Sequence, residues 1–220
     1  MAVGFFITGT DTSVGKTFVA ASLIRGLVHR GLRVAAMKPV ASGSHSTPRG
    51  LRNDDALMLC AAANVSAPYE RVNPFCFEAP VSPHIAAQDA GIVIDLEVIR
   101  RDFAALGAIS DCVIVEGAGG WLAPIGPSRT MADVASTVGL PIILVVGLRL
   151  GCLNHALLTA GAVRASGLRM AHWIANELDP AFARSRENVA TLTAALGPPL
   201  AIVPFAAQAG GGQGMIDVSL

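Results

Sequence analysis

Short apolar runs alternate along the chain with longer amphipathic segments. Six runs have the apolar, β-branched composition of buried strands: residues 3–8, 33–37, 112–115, 141–147, 171–175 and 200–203. Six segments have the length and spacing of crossover helices: residues 16–30, 54–63, 96–106, 131–138, 154–166 and 183–196. Because the strands are apolar on both faces, this alternation predicts a doubly wound α/β fold with a mainly parallel sheet and helices on both faces.

Two stretches interrupt the alternation. Residues 41–53 are rich in Ser, Gly and Arg, and residues 72–83 contain three prolines, so we interpret both as loops over a ligand site. Ligands of such sheets bind where loops leave the carboxyl ends of the strands. A length of 220 residues fits a single domain, 1–220, and we expect its glycine-rich segment 207–214 to be mobile.

Composition excludes several classes of partner. Sixteen basic and sixteen acidic residues give a net charge of zero, which does not favour nucleic acid or anionic membranes. The longest apolar stretch, residues 140–148, is far shorter than the roughly 20 residues of a membrane span. The first residues have no basic region typical of a signal peptide, and the four cysteines form no C-x-x-C pair. We therefore expect a cytoplasmic protein with reduced cysteines and small-molecule partners.

A glycine-rich loop joins the first predicted strand to the first predicted helix. Its sequence, GTDTSVGKT at residues 9–17, has the context that a P-loop requires, although it is one residue longer than the common form. Backbone N–H groups can wrap phosphates there, Lys16 can reach the β and γ phosphates, and the Thr17 hydroxyl can bind Mg²⁺. The alternative is a chance match in an unrelated loop. The motif predicts binding of a nucleoside triphosphate.

Carboxylates that could complete a magnesium site follow two predicted elements. Glu116 comes directly after the apolar run 112–115 and is followed by glycines that let the backbone approach a nucleotide. Asp54 and Asp55 open a predicted helix, where the alternative is helix capping. From the pattern alone, Glu116 is a candidate metal ligand and both aspartates fit the capping alternative.

Lysine is rare in this chain. Fourteen of the sixteen basic residues are arginine, and the two lysines are Lys16 and Lys38. Lys38 lies at the end of the second predicted strand, where it would face the same phosphates as Lys16. A compact ammonium suits a moving phosphoryl group better than the planar fork of arginine does. We interpret Lys38 as a second active-site lysine, and the alternative is a surface charge.

A further turn follows the strand at residues 141–147. The chain turns at Gly151 and a helix is predicted to begin near Asn154. Free N–H groups at such a helix start could bind a carboxylate. The alternative is simple capping by Asn154.

The motifs resemble those of one enzyme family. The chain is similar to dethiobiotin synthetases in nine segments that follow in order from Gly9 to about Phe205: GTDTSVGKT, KPVASGS, LRNDDAL, VNPF, SPHIAA, VEGAGGW, PIILVVG, LGCLNHA and IAN. The resemblance implies a P-loop enzyme that closes the ureido ring of dethiobiotin from 7,8-diaminopelargonate (7,8-diaminononanoate), CO2 and ATP. It also implies Mg²⁺ as cofactor, a place in biotin biosynthesis, and a homodimer with the substrate site at the subunit interface.

The resemblance further implies roles for individual residues, with Lys38 and Lys16 catalytic. Residues implied to bind ATP, including an adenine pocket at 176 and 204–206, are Ser13, Val14, Gly15, Lys16, Thr17, Phe18, Asp55, Glu116, Gly117, Ala118, Gly119, Asn176, Glu177, Pro204, Phe205 and Ala206. Those implied to bind Mg²⁺ are Thr17, Asp55 and Glu116. Those implied to bind the substrate are Thr12, Lys38 and Ser42, with Gly151, Cys152, Leu153 and Asn154 receiving its carboxylate from the neighbouring subunit.

Some positions depart from the family pattern, and two other classes share its motifs. Ser13, Glu177 and Asn188 stand where glutamate, aspartate and tyrosine are common. Nucleotide-switch ATPases of the cell-division type share the fold, but their signature lysine would stand at Asp11. A cobyrinate-type amidotransferase domain is the second alternative, and it would require a glutaminase with a nucleophilic cysteine.

Overall fold

The computed structural model describes residues 3–209 and 214–218. Its strands are β1 (Gly4–Gly9), β2 (Val34–Met37), β3 (Val40–Ala41), β4 (His45–Thr47), β5 (Gly50–Arg52), β6 (Phe75–Cys76), β7 (Cys112–Glu116), β8 (Ile142–Leu148), β9 (Met170–Glu177) and β10 (Ala201–Val203). Its helices are α1 (Lys16–His29), α2 (Asp54–Ala62), α3 (Tyr69–Val72), α4 (Pro83–Asp89), α5 (Leu96–Ala108), α6 (Met131–Val138), α7 (Cys152–Ala165), α8 (Ser185–Leu196) and α9 (Phe205–Ala209).

Six strands form one parallel sheet in the order β10-β9-β8-β1-β7-β2. They are the six strands that the apolar runs predict, and their bounds differ from the prediction by at most two residues. The connection after β1 leads to β2 at one edge of the sheet, and the connection after β7 leads to β8 on the other side of β1. The loops after β1 and β7 therefore lie at the point where such sheets bind ligands. The predicted doubly wound α/β fold is confirmed.

Alternate side chains of β1 face opposite layers of helices. Ile7 belongs to a core that includes α1 and α2, whereas Phe6 belongs to a core that includes α5 and α6. The helices α7 and α8 enclose a third core against β8 and β9. Fully burying one side chain of this size contributes roughly 1.5–3 kcal/mol. The buried sheet is therefore a rigid base for the loops at its carboxyl edge.

The prediction of a loop over residues 41–53 is wrong in part. The strands β4 and β5 form an antiparallel hairpin with Ser46 opposite Leu51. The Thr47 hydroxyl accepts from the Arg49 N–H over 3.1 Å and donates to the Gly50 carbonyl over 2.7 Å, which closes the turn. Because most residues of the hairpin are exposed or half-buried and polar, no hydrophobic alternation marks its strands.

Residues 72–83 also contain regular structure that the prediction missed. The strand β6 pairs in parallel with β3, with Phe75 opposite Val40. Pro74 directly precedes β6, and Pro83 is the first residue of α4, where its missing N–H costs no helical hydrogen bond. These two prolines therefore mark the starts of short elements.

The segment 207–214, expected to be mobile, is described only in part. Residues 207–209 belong to α9, Gly214 is described, and 210–213 lie outside the described residues. Beyond them, the Ile216 N–H donates to the Ser22 carbonyl of α1 over 3.1 Å. Within the described ranges, no helix is long and apolar enough to cross a membrane.

Candidate active site

A cleft of about 980 Å³ opens at the carboxyl edge of the sheet. Eleven residues predicted for the site line it: Thr12, Ser13, Gly15, Lys16, Thr17, Lys38, Ser42, Asp55, Glu116, Ala118 and Gly119. Six more lining residues fall in the two segments predicted to lie over the site, namely Ala41, Asn53, Pro80, Val81, Ser82 and Pro83. Sequence reasoning missed Asp11, Ile85, Gly120, Ala123 and Pro124. The motif SPHIAA was the available signal for Ile85.

Residues 9–17, which we call the phosphate cradle, have an unusual backbone conformation. Ser13 and Gly15 adopt φ angles of 57° and 86°. A Cβ atom on Gly9 would lie 2.6 Å from the Val14 side chain, so a larger residue does not fit there. Alternation of right- and left-handed residues turns neighbouring N–H groups toward one point and forms an anion site. Since α1 begins at Lys16 without a side-chain cap, its first N–H groups add to that site.

Lys16 lies within the cradle, 7% exposed. Its Nζ donates to the Asp11 carbonyl over 2.8 Å. Burial and the neighbouring charge of Lys38 lower the pKa of Lys16 to about 8, against the opposing effect of nearby carboxylates. An anionic ligand would therefore stabilise the protonated, charged form of Lys16.

Lys38 stands beside the cradle, within a set that we call the lysine–carboxylate cluster: Thr17, Lys38, Asp55 and Glu116. Its Nζ donates to Glu116 Oε1 over 2.6 Å and to Asp55 Oδ2 over 2.8 Å. The Thr17 hydroxyl donates to the same Glu116 oxygen over 2.8 Å. Lys38 and Glu116 are 3% and 0% exposed, so this ion pair is removed from water. The surface-charge alternative for Lys38 is therefore wrong.

Burial and charge act in opposite directions in this cluster. Burial alone would lower the pKa of Lys38, but the carboxylates of Glu116 and Asp55 outweigh it and raise that pKa. Burial raises the pKa of Glu116, partly offset by Lys38. For Asp55, burial favours a higher pKa, but the Lys38 ammonium outweighs burial and the pKa is lowered. The ammonium thus remains charged and polarises this side of the cleft.

The cluster has the donor set that a hard divalent cation takes. Among the described residues, Oε2 of Glu116 is buried and accepts no hydrogen bond, which is an unusual state for a carboxylate oxygen. The hydroxyl of Thr17 and the carboxylate of Asp55 lie on the same side of the cleft. The described chain contains no cluster of three or more His, Cys, Asp or Glu residues suited to a metal. Mg²⁺ does not require one, because it is commonly bound through one or two carboxylates and keeps several waters.

The structure separates the two aspartates that open α2. Asn53, not an aspartate, is the N-cap, and its side chain accepts from the Ala56 N–H over 3.3 Å. Asp54 is exposed at the helix surface, whereas Asp55 faces Lys38. Both aspartates lie in the first turn of α2, as the capping alternative expects of acidic residues, while the N-cap itself is Asn53.

The residues predicted for the adenine pocket lie together at the carboxyl ends of β9 and β10, away from the main cleft. Asn176 is buried, and its Nδ2 donates to the Val14 carbonyl of the cradle over 2.8 Å. The Phe205 N–H donates to Glu177 Oε2 over 3.4 Å. Phe18 and Pro204 line a second cavity of about 330 Å³. The cradle and this region are therefore neighbours joined by Asn176.

The turn before α7 differs from the expectation in one respect. The N-cap of α7 is Gly151, with φ of 95°, so capping by Asn154 is wrong. Cys152 is buried, and its thiol lies 3.7 Å from Oδ1 of Asn188 on α8. The predicted residues 151–154 do not line the main cleft of the same chain. Arg149, which sequence reasoning missed, forms an ion pair with Asp11 and connects this turn to the cradle.

Comparison with known proteins agrees with this geometry. A family model described as an AAA domain matches residues 3–211. The septum site-determining protein MinD of Pyrococcus horikoshii OT3, complexed with Mg-ADP, superimposes with a TM-score of 0.60 at 16% identity, covering 98% of this chain and 87% of MinD. The cell division ATPase MinD of Pyrococcus furiosus gives 0.58 at 18% identity, covering 98% and 90%. At such identities these structures support the fold alone.

Relatives by sequence are much more similar. The ATP-dependent dethiobiotin synthetase BioD of Xanthomonas oryzae pv. oryzae (strain PXO99A) is 48% identical over 195 residues, covering 89% of this chain and 87% of the relative. The protein of that name from Pseudomonas paraeruginosa (strain DSM 24068 / PA7) is 48% identical over 210 residues, covering 94% and 91%. With identity of this extent along nearly all of its length, the chain belongs to the ATP-dependent dethiobiotin synthetases.

Proposed function

We propose that the cleft closes the ureido ring of dethiobiotin from 7,8-diaminopelargonate, CO2 and ATP, with Mg²⁺ bound by Thr17, Asp55 and Glu116. The activity is that of an ATP-dependent cyclo-ligase, and ATP and the diamine are its substrates. One observation carries the assignment of the site: a buried lysine, Lys38, lies beside a P-loop and is paired with two carboxylates. A P-loop alone binds a triphosphate, and the added buried ammonium supplies a charge for a second anion.

The reaction requires that two anions react with one another. One amine of the substrate adds CO2 and loses a proton to give a carbamate. A carbamate oxygen then attacks the γ phosphorus and ADP leaves, which forms a carbamic–phosphoric anhydride. The second amine attacks the carbonyl carbon, its C–N bond closes the ring, and phosphate leaves as the amine loses a proton. Negative charge accumulates at the bridging oxygen, so catalysis rests on positioning and cations.

In this proposal the two lysines contact different groups, Lys16 the phosphates of ATP and Lys38 the carbamate. Lys16, with the N–H groups of 13–18, binds the β and γ phosphates from the cradle side. Lys38, which stands beside the cradle in the same cleft, neutralises the carbamate oxygen as it attacks. Thr12 and Ser42 also line the cleft and would contact the diamine or its carbamate. Mg²⁺, when bound, would draw charge from the phosphate oxygens.

We assign the base of ATP to the region between β9 and β10. Asn176 connects that region to the cradle, and Glu177 lies beside the Phe205 N–H. Behind Glu116, residues 117–119 pass close to other side chains, and a Cβ on Gly117 would lie 3.1 Å from Phe6 and Met131. Glycine there lets the chain turn from β7 along the wall of the cleft, where Ala118 and Gly119 would face the nucleotide.

We also propose a homodimer that presents α7 of one copy to the cleft of the other. The side chains of Leu150, just before α7, and of Leu157 and Leu158 within it are 93%, 44% and 65% exposed, which leaves apolar surface for a partner to cover. Gly151 leaves the first N–H groups of α7 without a side-chain cap, so the partner's substrate carboxylate could bind there.

The dimer is tested by sedimentation velocity. Leu158→Glu should convert the wild-type dimer to monomer and lower the affinity for the diamine. Val93→Glu introduces the same charge at an exposed apolar residue outside α7, between α4 and α5, and it should leave the dimer intact. A wild-type protein that sediments as a monomer at assay concentrations would contradict this part of the proposal.

The activity itself is tested by one coupled assay. Purified protein with MgATP, bicarbonate and 7,8-diaminopelargonate should release ADP and form dethiobiotin in equal amounts, measured by mass spectrometry. Omitting the diamine should abolish most of the ADP release. Equal ADP release without the diamine would favour a nucleotide-switch ATPase of the cell-division type.

A further inference from the structure

The main chain of Lys38 is bound by one short segment, residues 69–73, to which the proposed function gives no role. The Lys38 N–H donates to the Val72 carbonyl over 2.8 Å. The Lys38 carbonyl accepts from Nδ2 of Asn73 over 2.6 Å. Both polar groups of the Lys38 backbone are therefore fixed by two adjacent residues.

The Asn73 side chain is buried, 2% exposed, and both of its polar atoms are used. Its Oδ1 accepts from the Tyr69 hydroxyl over 3.0 Å. Its Nδ2 also lies 3.4 Å from the Phe75 carbonyl, at the start of β6. Leaving any of these buried groups without its partner would be costly, so the asparagine has one stable orientation.

The Tyr69 hydroxyl extends this network to α2. It accepts from the backbone N–H of Asn53 over 2.8 Å, and Asn53 is the N-cap of the helix whose second residue is Asp55. Nδ2 of Asn53 also lies 3.3 Å from the Ser42 carbonyl. Three hydrogen bonds in series, from Asn53 through Tyr69 and Asn73, thus join the Lys38 backbone to the start of the helix that carries Asp55.

Tyr69 suits this place because it both accepts and donates. Burial raises the pKa of its phenol, so the hydroxyl keeps its proton at neutral pH. The Arg52 guanidinium lies 4.1 Å above the face of the ring, and it makes none of the three hydrogen bonds of the series. Phenylalanine would keep the ring and its packing and would remove the link between α2 and Asn73.

We propose that Tyr69 and Asn73 are positioning residues for ring closure. They hold the Lys38 backbone and the N-terminus of α2 in a fixed relation, so that the Lys38 ammonium meets Asp55 and Glu116 at the cleft. Neither residue lines the cleft, so they act through Lys38 and Asp55. The inference rests on the proposed catalytic role of Lys38. Reacting groups tolerate little displacement, and a shift of about 1 Å can reduce a rate about a hundredfold.

Kinetics give the first test. Tyr69→Phe should lower kcat about tenfold, the order expected for one lost hydrogen bond, with the KM values for ATP and the diamine changed less than about twofold. Asn73→Asp keeps the shape but sets an acceptor against the Lys38 carbonyl, and it should lower kcat further. Arg52→Gln is the matched control, because it removes the cation from the same ring and leaves the three hydrogen bonds. Its kcat should equal that of the wild type.

A spectroscopic test does not depend on turnover. The chain has two lysines, so ¹³C-lysine labelling gives two side-chain Cε signals, which Lys38→Arg assigns. In ligand-free Tyr69→Phe the Lys38 signal should shift or broaden, and the Lys16 signal should stay in place. If Asn73→Asp does not fold, Tyr69→Phe decides the question. An unmoved Lys38 signal with unchanged kcat would overturn the inference alone, whereas wild-type turnover of Lys38→Arg would overturn the proposed catalytic role of Lys38 and the inference with it.

Discussion

The two lysines lie in two parts of one cleft that are built in different ways. The phosphate cradle is one continuous segment, residues 9–17, shaped by glycines and by the start of α1. The lysine–carboxylate cluster is assembled from separate elements: Lys38 follows β2, Asp55 belongs to α2, and Glu116 ends β7. The first part can therefore be recognised within nine consecutive residues, and the second exists only in the folded chain.

The two parts also supply positive charge differently. The cradle combines backbone N–H groups with a lysine whose pKa is lowered to about 8, so it depends on its anionic ligand for full charge. The cluster contains an ion pair buried from water before any ligand binds. Removing one partner of such a pair leaves an uncompensated charge, which is strongly unfavourable. We therefore expect changes in the cluster to lower turnover most, and changes at the edge of the cradle to affect ATP binding modestly.

The largest effect is expected for Lys38→Arg. Arginine keeps the positive charge, but its planar fork cannot take the place of a compact ammonium between Asp55 and Glu116. Loss of one such preorganised contact costs about 3 kcal/mol of transition-state stabilisation, or roughly a hundredfold in rate. Dethiobiotin formation should fall by that factor, while ATP affinity measured by calorimetry should change little.

The matched control is the reverse exchange at the surface. Arg33 pairs with Asp111 on an exposed part of the molecule, and Arg33→Lys should leave dethiobiotin formation unchanged. If Lys38→Arg retains near-wild-type turnover, the division of roles between the two parts of the cleft is incorrect.

The next effect concerns Mg²⁺ and separates two neighbouring aspartates. Asp55→Asn should raise the Mg²⁺ concentration needed for half-maximal turnover by at least about tenfold, because it removes a charged ligand. Asp54→Asn makes the same change one residue earlier, on an exposed side chain, and its magnesium titration should match that of the wild type. Equal titration curves for both variants would remove Asp55 from the metal site.

A smaller effect is expected at the edge of the cradle. Arg149→Gln removes the ion pair with Asp11, and both side chains are nearly half exposed. Pairs exposed to this degree contribute about 0–1 kcal/mol, so the KM for ATP should rise no more than about fivefold and kcat should be nearly unchanged. A large loss of kcat would show that Arg149 takes part in the chemistry.

The smallest expected effect is the uptake of a proton by Lys16 when ATP binds. In the ligand-free protein Lys16 is largely neutral above pH 8, and the phosphates of ATP favour its charged form. ATP binding at pH 8.5 should take up a fraction of a proton, and affinity should weaken as the pH rises above 8. Calorimetry in two buffers of different ionisation enthalpy measures this uptake. Lys16→Met should abolish it, and proton release by the wild type would contradict the assignment.

The sequence was sufficient for the six strands of the parallel sheet. Buried strands of the parallel sheet are continuous apolar runs, so their positions could be predicted within two residues. Lys16 and Thr17 could be predicted because motif, strand and helix adjoin in the chain. The hairpin β4–β5 could not be predicted, because its strands consist of exposed and half-buried residues. Without an apolar face they show no alternation of hydrophobic and polar residues.

The rest of the site depends on tertiary contacts that leave no local pattern. Asp54 and Asp55 are equivalent by position in a first turn, and only the tertiary structure brings Asp55 to Lys38. Asn73 stands in the motif VNPF, but neither periodicity nor motif spacing reveals that Tyr69 and Asn73 bind the backbone of distant residues. Arg149 and Asp11 meet although they are far apart in the chain.

In the proposed function the two parts of the cleft meet at one oxygen atom, with the cradle binding the γ phosphate and Lys38 facing the carbamate oxygen that attacks it. Supplying CO2 labelled with ¹⁸O tests this directly, because that oxygen leaves on phosphate when the ring closes. In a reaction short enough to limit exchange of label with water, the account predicts one ¹⁸O atom in each phosphate released with dethiobiotin. Phosphate without label, formed at the same rate as dethiobiotin, would contradict it.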